Sequence, residues 1–595
     1  MKNVHYRIAA ASPEAHIFHV TCTILQPDAN GQTFTLPNWI PGSYMIRDFA
    51  KNLVEVHAYS NDQAVPIEKV DKSTWMCRPV SGVLRLEYDV YAWDLSVRSA
   101  HLDTTHGFFN GTSVFVCVNG QEKEACSVEI CAPAAPLDDW QVATAMRGTE
   151  TNAQGFGHYV ADNYDELIDH PVEMGRFTRH VFEAGGVPHE LILTGQFSTD
   201  VARICADLKV ICEHHLRFFG GEAPFDRYLF LVMVVGEGYG GLEHRSSTSL
   251  ITSRESLPIE GDIAISETYL DFLGLCSHEY FHNWNVKRIK PAVFVPYQLE
   301  KESHTRLLWA FEGITSYYDD LALVRSGLID HERYLGLLAK TLSRVYQGTG
   351  RHKQSVSDSS FDAWTKFYKQ DENAPNAIVS YYTKGALIAL ALDLTIRFKT
   401  EGRCALDDVM LALWEEFGIH QQGVGEKVLE EKIAEYSGLN LSAFFDTALR
   451  GTEDIALVPL LKHVGVELTW GYAPEALPNS REERHLSAPL ALGLKMSGSD
   501  SVKVTHVFDG GAAQKAGISA GDELLAFNGL RVTPRKLDQL LKRCQQGQSV
   551  AVTGFRRDEL MTFTVVLQQA EKNTPLLKIT GQSPERDAWL SRKDT

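Results

Sequence analysis

The chain has 595 residues, 44% of them hydrophobic and 22% charged, which is the composition of a globular protein too long for one core. Lys and Arg number 57 against 76 Asp and Glu, a net charge of −19, so nucleic acid and anionic membrane are poor partners. No apolar run reaches membrane-spanning length, the N-terminus lacks the apolar stretch of a secretory signal, and the ten scattered cysteines read as buried free thiols, which together predict a cytoplasmic protein.

Residues 1–175 read as a β-rich domain. Apolar and polar residues alternate over 18–24, and further β-type runs lie at 84–91 and 113–118. Turn residues such as Pro27-Asp28 and Asn119-Gly120 separate them, as expected for an antiparallel sheet. Leu36-Pro37-Asn38-Trp39-Ile40-Pro41-Gly42-Ser43-Tyr44 is an aromatic loop. It either walls a substrate cleft or packs one domain on another, and packing is the commoner use of aromatic area.

From about residue 176 the pattern changes. Residues 200–219 read as an amphipathic helix with Val201, Ile204, Cys205, Leu208, Ile211 and Cys212 on one face. Residues 228–235 form a continuous apolar strand, which requires cover on both faces. A glycine-rich loop follows at 236–247, where backbone can approach a ligand closely. Then comes Cys276-Ser277-His278-Glu279-Tyr280-Phe281-His282, within a proline-free stretch from 267 to 290 that reads as helix. Residues four apart share a helix face, so His278 and His282 can present two imidazoles to one metal ion, with Glu279 beside them to handle a water molecule. Two neutral imidazoles suit zinc, and an open position makes such a site catalytic.

A third ligand is needed. A further histidine downstream is ruled out, because Asn285 and Arg288 stand where that plan requires glycine and histidine. A glutamate from a later helix is the other plan, and Glu312 lies in the apolar, aromatic run 308–318, where a carboxylate needs a partner. Glu300, Glu302 and His304 are nearer in sequence but sit in a charged segment that reads as solvated. Beyond Glu312 the chain reads as mostly helical to about residue 450. Tyr381 and Tyr382 open a strongly apolar helix, and either can serve a substrate or simply the core. Between 469 and 485 the composition shifts to glycine, proline and charge, with Gly471, Pro474, Pro478 and Arg481-Glu482-Glu483-Arg484, which marks a boundary. Residues 571–595 read as a polar tail with one tryptophan, Trp589.

His278-Glu279-x-x-His282 followed by Glu312-Gly313 resembles the aminopeptidase N type of zinc peptidase. The fuller match is to the glycyl aminopeptidase family, which His282-Asn283-Trp284-Asn285-Val286-Lys287-Arg288-Ile289-Lys290-Pro291 and Glu312-Gly313-Ile314-Thr315-Ser316-Tyr317-Tyr318 resemble. The 36–44 loop and Tyr164-Asp165-Glu166-Leu167-Ile168-Asp169-His170-Pro171 are similar to that family's N-terminal domain. Residues 490–496 and 510–529 resemble a PDZ domain, a module that adds an extended peptide to a sheet edge and can capture a C-terminal carboxylate. The resemblance implies a multidomain α+β chain: an N-terminal antiparallel β domain (1–175), a thermolysin-like, mostly helical catalytic domain (176–470), a C-terminal PDZ domain (485–570) and a tail (571–595).

The resemblance also implies roles. His278, His282 and Glu312 would hold one zinc ion, and Glu279 would act as the general base. Gly240-Gly241-Leu242-Glu243-His244 resembles the glycine-x-methionine-glutamate-asparagine signature of aminopeptidase N, with departures at Leu242 and His244. On that likeness Gly240, Gly241 and Glu243 bind the substrate at its free amine, against an ordinary ion pair of Glu243 with Arg245. The segment Tyr382-Thr383-Lys384-Gly385 resembles that of the catalytic tyrosine and places the oxyanion donor at Tyr382, with Tyr381 as its rival. Ser316 stands where related sites carry a supporting aspartate, so Asp319, Asp320 or a backbone carbonyl is expected to orient a ligand histidine. The implied activity is removal of an N-terminal residue, glycine or alanine, from peptides. A zinc endopeptidase on the same domain, and a PDZ-bearing scaffold with weak or no peptidase activity, are the alternatives. Expected partners are peptide substrates and a peptide C-terminus at the PDZ domain, with no nucleic acid and no membrane; the sequence leaves the oligomeric state open.

Overall fold

Alternation builds the first domain. Ile17–Ile24 and Leu84–Tyr91 bury every second residue and pair antiparallel along their whole length. They lie within an eight-stranded sheet ordered Arg147–Thr151, Gly157–Ala161, Cys126–Ile130, Val4–Ser12, Ile17–Ile24, Leu84–Tyr91, Leu53–Ser60, Gln63–Val65. The structure is a computed structural model that describes residues 3–472, 489–498 and 502–591.

Two departures from the expected all-antiparallel pattern occur here. Val4–Ser12 runs parallel to Cys126–Ile130, which the long intervening chain permits. The strand expected at 113–118 is instead a helical turn, Gly111–Val114, and only Cys117–Val118 pairs. The carbonyls of Val114, Phe115 and Val116 accept hydrogen bonds from the hydroxyls of Tyr88, Tyr164 and Tyr6 at 2.8, 2.7 and 2.8 Å. Side chains thus satisfy this buried backbone, and it needs no neighbouring strand.

The chain divides into two units. The first comprises Met1–His304, Tyr318–Leu328 and Met410–Glu426. Beside the β domain it contains a mixed sheet of β1 (Phe177–Ala184), β2 (Val187–Thr194), β3 (Tyr228–Val235), β4 (Tyr239–Glu243) and β5 (Ser247–Ser253), in the order β1-β2-β3-β5-β4. β3 is central, as its unbroken apolar run requires. β4 is an edge strand antiparallel to β5, so the segment expected as a glycine-rich loop is partly strand.

Helix α1 (Val201–Phe218) matches its amphipathic pattern and is capped by Asp200, which accepts from the Arg203 amide. Helix α2 (Glu267–Phe281) is capped by Ser266. It stops at Phe281 rather than running on to 290. The Asn283 side chain donates to the Tyr280 carbonyl and the Arg288 guanidinium to the Asn283 carbonyl, so side chains take up backbone acceptors and the chain leaves in turns.

The second unit comprises Thr305–Tyr317, Ile329–Val409 and Lys427–Thr595. Helices dominate its first part, beginning with a π-helical turn, Trp309–Gly313, that leads into α3 (Ile314–Arg325), of which the residues from Tyr318 on belong to the first unit. Helix α4 (Thr383–Lys399) is almost wholly buried, as its apolar sequence demands. β6 (Val466–Gly471) follows, so the expected boundary at 469–485 begins inside a strand, and 473–485 lie outside the described residues.

The PDZ sheet has its own core, including Leu492, Val504, Ile518, Leu524, Phe527 and Val552. Its first strand, β7 (Leu494–Ser497), lies at the sheet edge. The segment read as a polar tail is structured. β8 (Thr574–Ile579) pairs antiparallel with β6, and α5 (Pro584–Leu590) buries Trp589, whose Nε1 donates to the Tyr317 hydroxyl at 2.9 Å. Among the described residues no helix is long and apolar enough to cross a membrane, and the ten cysteines are free thiols.

Candidate active site

Helix α2 buries Tyr269, Phe272, Leu273, Cys276 and Tyr280, which fixes its rotation and brings His278 and His282 to one edge. Their rings lie 4.6 Å apart between centroids and nearly perpendicular, at 89°. His278 Nδ1 donates to Asp319 Oδ2 at 2.8 Å, and His282 Nδ1 donates to the Asn285 carbonyl at 2.7 Å. A proton on each Nδ1 leaves each Nε2 with its lone pair for a cation. The orienting partner is therefore Asp319 for one histidine and a backbone carbonyl for the other. Burial pushes the Asp319 carboxyl up, and the hydrogen bond and charge of His278 oppose it.

Strand β4 supplies the adjoining wall. Alternation puts Tyr239, Gly241 and Glu243 on one face. A Cβ at Gly241 would fall on Glu279, 2.5 Å from its Cδ and 2.7 Å from its Cγ, so the glycine makes room for that carboxylate. Gly240 points the other way, and a Cβ there would lie 3.7 Å from Arg98 and Ile251. Arg98 Nη2 donates to the Gly241 carbonyl at 3.2 Å. No periodic or motif signal in the sequence marks Arg98.

Glu243 is buried, and Glu243, Glu279 and His282 offer ligand-type atoms that lie within 4.8 Å of one another. The 36–44 loop meets this group. A Cβ at Gly42, where φ is +97°, would come within 2.5 Å of Glu243 Oε1. The loop borders Glu243 and it packs, with Trp39 Nε1 donating to the Gln298 carbonyl at 2.9 Å and Tyr44 stacked on Phe294. Arg245 makes its ion pairs with Asp165 and Asp169 rather than with Glu243. Asp169 is a buried hub that also binds Lys287 at 2.7 Å and His244 at 3.1 Å. Burial pushes its carboxyl up, but the Lys287 ammonium, the His244 hydrogen bond and the Arg245 charge outweigh this and hold it well below the usual carboxylate range.

In the second unit Glu312 is buried on the π-helical turn, a geometry often found at functional positions. A Cβ at Gly313 would sit 2.7 Å from the Gly385 Cα, so the Glu312-Gly313 and Lys384-Gly385 pairs cross backbone to backbone. Tyr382 immediately precedes α4 and is half-buried, with its hydroxyl 3.3 Å from that of Tyr368. Tyr381 is wholly buried, and burial pushes its phenol far up. The Phe367 ring packs on both tyrosines, at 4.7 and 5.5 Å between centroids.

Three family models match the chain: the Peptidase M61 N-terminal domain over residues 5–176, M61 glycyl aminopeptidase over 271–388, and a PDZ domain over 490–567. A solved aminopeptidase N family protein from Idiomarina loihiensis is 44% identical, with 99% of this chain and 100% of that one covered and a TM-score of 0.94. The chain belongs to the M61 glycyl aminopeptidase family. This M61 protein is accordingly a metallopeptidase of the aminopeptidase kind, with an N-terminal β-rich domain, a helical middle region and a C-terminal PDZ domain. It also has a likeness to an M1 zinc metallopeptidase from Deinococcus radiodurans, at 15% identity, 77% and 94% coverage and a TM-score of 0.47. Yeast LTA4 hydrolase in complex with bestatin gives 12%, 76% and 68%, and 0.46. No curated protein matches the chain significantly.

Proposed function

We propose that this protein is a zinc-dependent aminopeptidase that hydrolyses the first peptide bond of peptides with a free α-amine and prefers a small first residue, glycine or alanine. One zinc ion would be held by His278, His282 and Glu312, the two-imidazole, one-carboxylate set of catalytic zinc sites. The donor chemistry fits: two imidazoles held as Nε2 ligands through Asp319 and Asn285, and one buried carboxylate. Zinc, when bound, supplies Lewis-acid polarisation of the scissile carbonyl and of the attacking water.

The chain's own residues do the rest. Glu279 takes a proton from the attacking water on its carboxylate and passes it to the departing amine. Tyr382 donates its phenolic hydrogen to the developing oxyanion. Glu243 accepts a charge-assisted hydrogen bond from the substrate ammonium. Gly240 and Gly241 belong to an edge strand that offers backbone groups to an extended peptide, and the Pro41-Gly42 turn against Glu243 favours a small first side chain. The PDZ domain captures a peptide C-terminus. Ten free cysteines accord with a reducing, cytoplasmic setting.

The observation that carries this reading is the convergence of Glu243 and Glu279 beside His282. Two buried carboxylates this close favour a cation, and a peptide's ammonium is one. Glu243→Gln should therefore damage cleavage of free-amine dipeptides by roughly ten- to a hundredfold or more, the worth of a hydrogen bond to a charged group. Residual cleavage of N-acetylated analogues should change far less. Equal losses on both substrates would defeat the exopeptidase reading.

A further inference from the structure

Behind the tyrosine segment lies a cleft of about 200 Å³ that joins the PDZ domain to the helices of the same unit. Its lining includes the apolar Phe367, Val379 and Phe508 and the cationic Arg344, Arg351 and Lys495. Arg351 pairs with Asp454, and Lys495 Nζ lies 5.8 Å from the Phe508 ring centroid, which leaves Arg344 and Lys495 as the cations at issue. Among the described residues neither cation is in an ion pair, in a chain whose net charge is −19. Lys495 comes from β7. Leu494 and Met496 on that strand pack on the PDZ core, so alternation turns Lys495 the other way, into the cleft. The PDZ domain is fixed against the helices at this point. Asn376 donates to the Val507 carbonyl at 2.7 Å and accepts from the Asp509 amide at 2.9 Å, while Lys353 pairs with Asp509 at 2.5 Å.

β7 is an edge strand, and the segment 490–493 that resembles a carboxylate-binding loop directly precedes it. A peptide C-terminus added antiparallel to β7 turns its last side chain to the Leu494 and Met496 face and its next-to-last side chain to the Lys495 face. We propose that this cleft reads the penultimate side chain of a peptide carboxy terminus docked on the PDZ edge strand and selects an acidic one through Lys495 and Arg344. The occupant is thus the C-terminal segment of a peptide with Asp or Glu next to last. The inference rests on peptide capture by the PDZ domain, and its test separates the two.

The probes are decapeptides carrying fluorescein on the N-terminus, which blocks the amine that Glu243 would bind. They differ only at the penultimate position, Glu, Gln or Lys, and the Glu peptide is also made as its C-terminal amide. Anisotropy titrations use the full chain. The expected order is Glu, then Gln, then Lys, with about five- to tenfold between the ends, as two partly exposed charge pairs allow. Lys495→Glu should abolish or invert that order, and Arg344→Glu should compress it. Binding that needs the free carboxylate but ignores the penultimate charge, in the natural chain or with no change in Lys495→Glu, overturns the cleft reading and leaves PDZ capture intact. Equal binding of acid and amide, or no binding of any peptide, overturns capture and the inference with it.

Discussion

Replacing Gly241 by alanine puts a methyl group where the Glu279 side chain lies. The new Cβ would stand 2.7 Å from Glu279 Cγ and 2.5 Å from Cδ, so the carboxylate has to move by about 1 Å to reach ordinary contact. The atoms it meets belong to a side chain that can rotate, so the fold absorbs the change cheaply while the proposed base loses its place. A misplacement of about 1 Å can cost 10²-fold in rate, and loss of a general base costs about 10²–10⁴. Gly241→Ala should therefore lower kcat by roughly 10²-fold or more, with the melting temperature within a few degrees of the natural chain. Gly240→Ala is the comparison, since its methyl would meet its nearest atoms at 3.7 Å, and it should lose at least about tenfold less. Steady-state turnover of an alanyl or glycyl dipeptide, with bound zinc counted on the same samples, measures both. Equal losses in the two variants, or a Gly241→Ala enzyme of normal kcat, would refute the placement of Glu279 against β4 as the source of its catalytic position.

Asp319→Asn should weaken zinc binding by about 10–100-fold in a chelator competition, because the carboxylate that orients His278 is gone; unchanged affinity would remove Asp319 from that role. Tyr382→Phe should cut kcat by roughly 10²–10³ with little change in KM, whereas Tyr381→Phe, which removes only a buried hydroxyl and keeps the packed ring, should leave kcat nearly unchanged. The reverse pattern would move the oxyanion donor to Tyr381. Asp169→Asn leaves Lys287 buried without its carboxylate and should destabilise the chain by about 3–5 kcal/mol at neutral pH. The Asp169 carboxyl sits below its unfolded value, so its stabilisation is present above pH ~4 and is lost as the pH falls through the folded-state value. The gap between variant and natural chain in denaturant melts should narrow on acidification, and a gap independent of pH would contradict the hub.

The strongest sequence signals were those that physics imposes locally. The H-E-x-x-H spacing works because α2 is rotated by Tyr269, Phe272 and Cys276, all visible as periodicity. β3 was legible because only a doubly covered strand carries so long an apolar run. What stayed hidden depends on contacts distant in sequence. The β-type run at 113–118 is a turn because Tyr6, Tyr88 and Tyr164 reach its carbonyls from three other segments. The glycines at 240 and 241 read as a loop, yet their segment pairs as an edge strand with β5, and edge strands tolerate glycine where another group must come close. Asp319 was one of three options, and only its hydrogen bond to His278 chooses it. Arg98 and Phe367 belong to no pattern; folding alone brings them to Gly241 and to the tyrosine pair.

The ladder between β6 and β8 has a consequence for the order in which the chain is made. β6 leaves the ribosome before the PDZ domain and β8 after it, so β6 waits for its partner while the whole PDZ domain is synthesised. The same delay applies to Trp589, which fills the space beside Tyr334 and Tyr317. A truncated nascent chain that already carried every proposed zinc and catalytic residue would still expose one edge of β6 and an unfilled hollow at Tyr334. Release of a well-packed helical unit is thereby tied to translation of the segment 574–590, and products cut short before it should be recognised as unfinished by proteases and holdases.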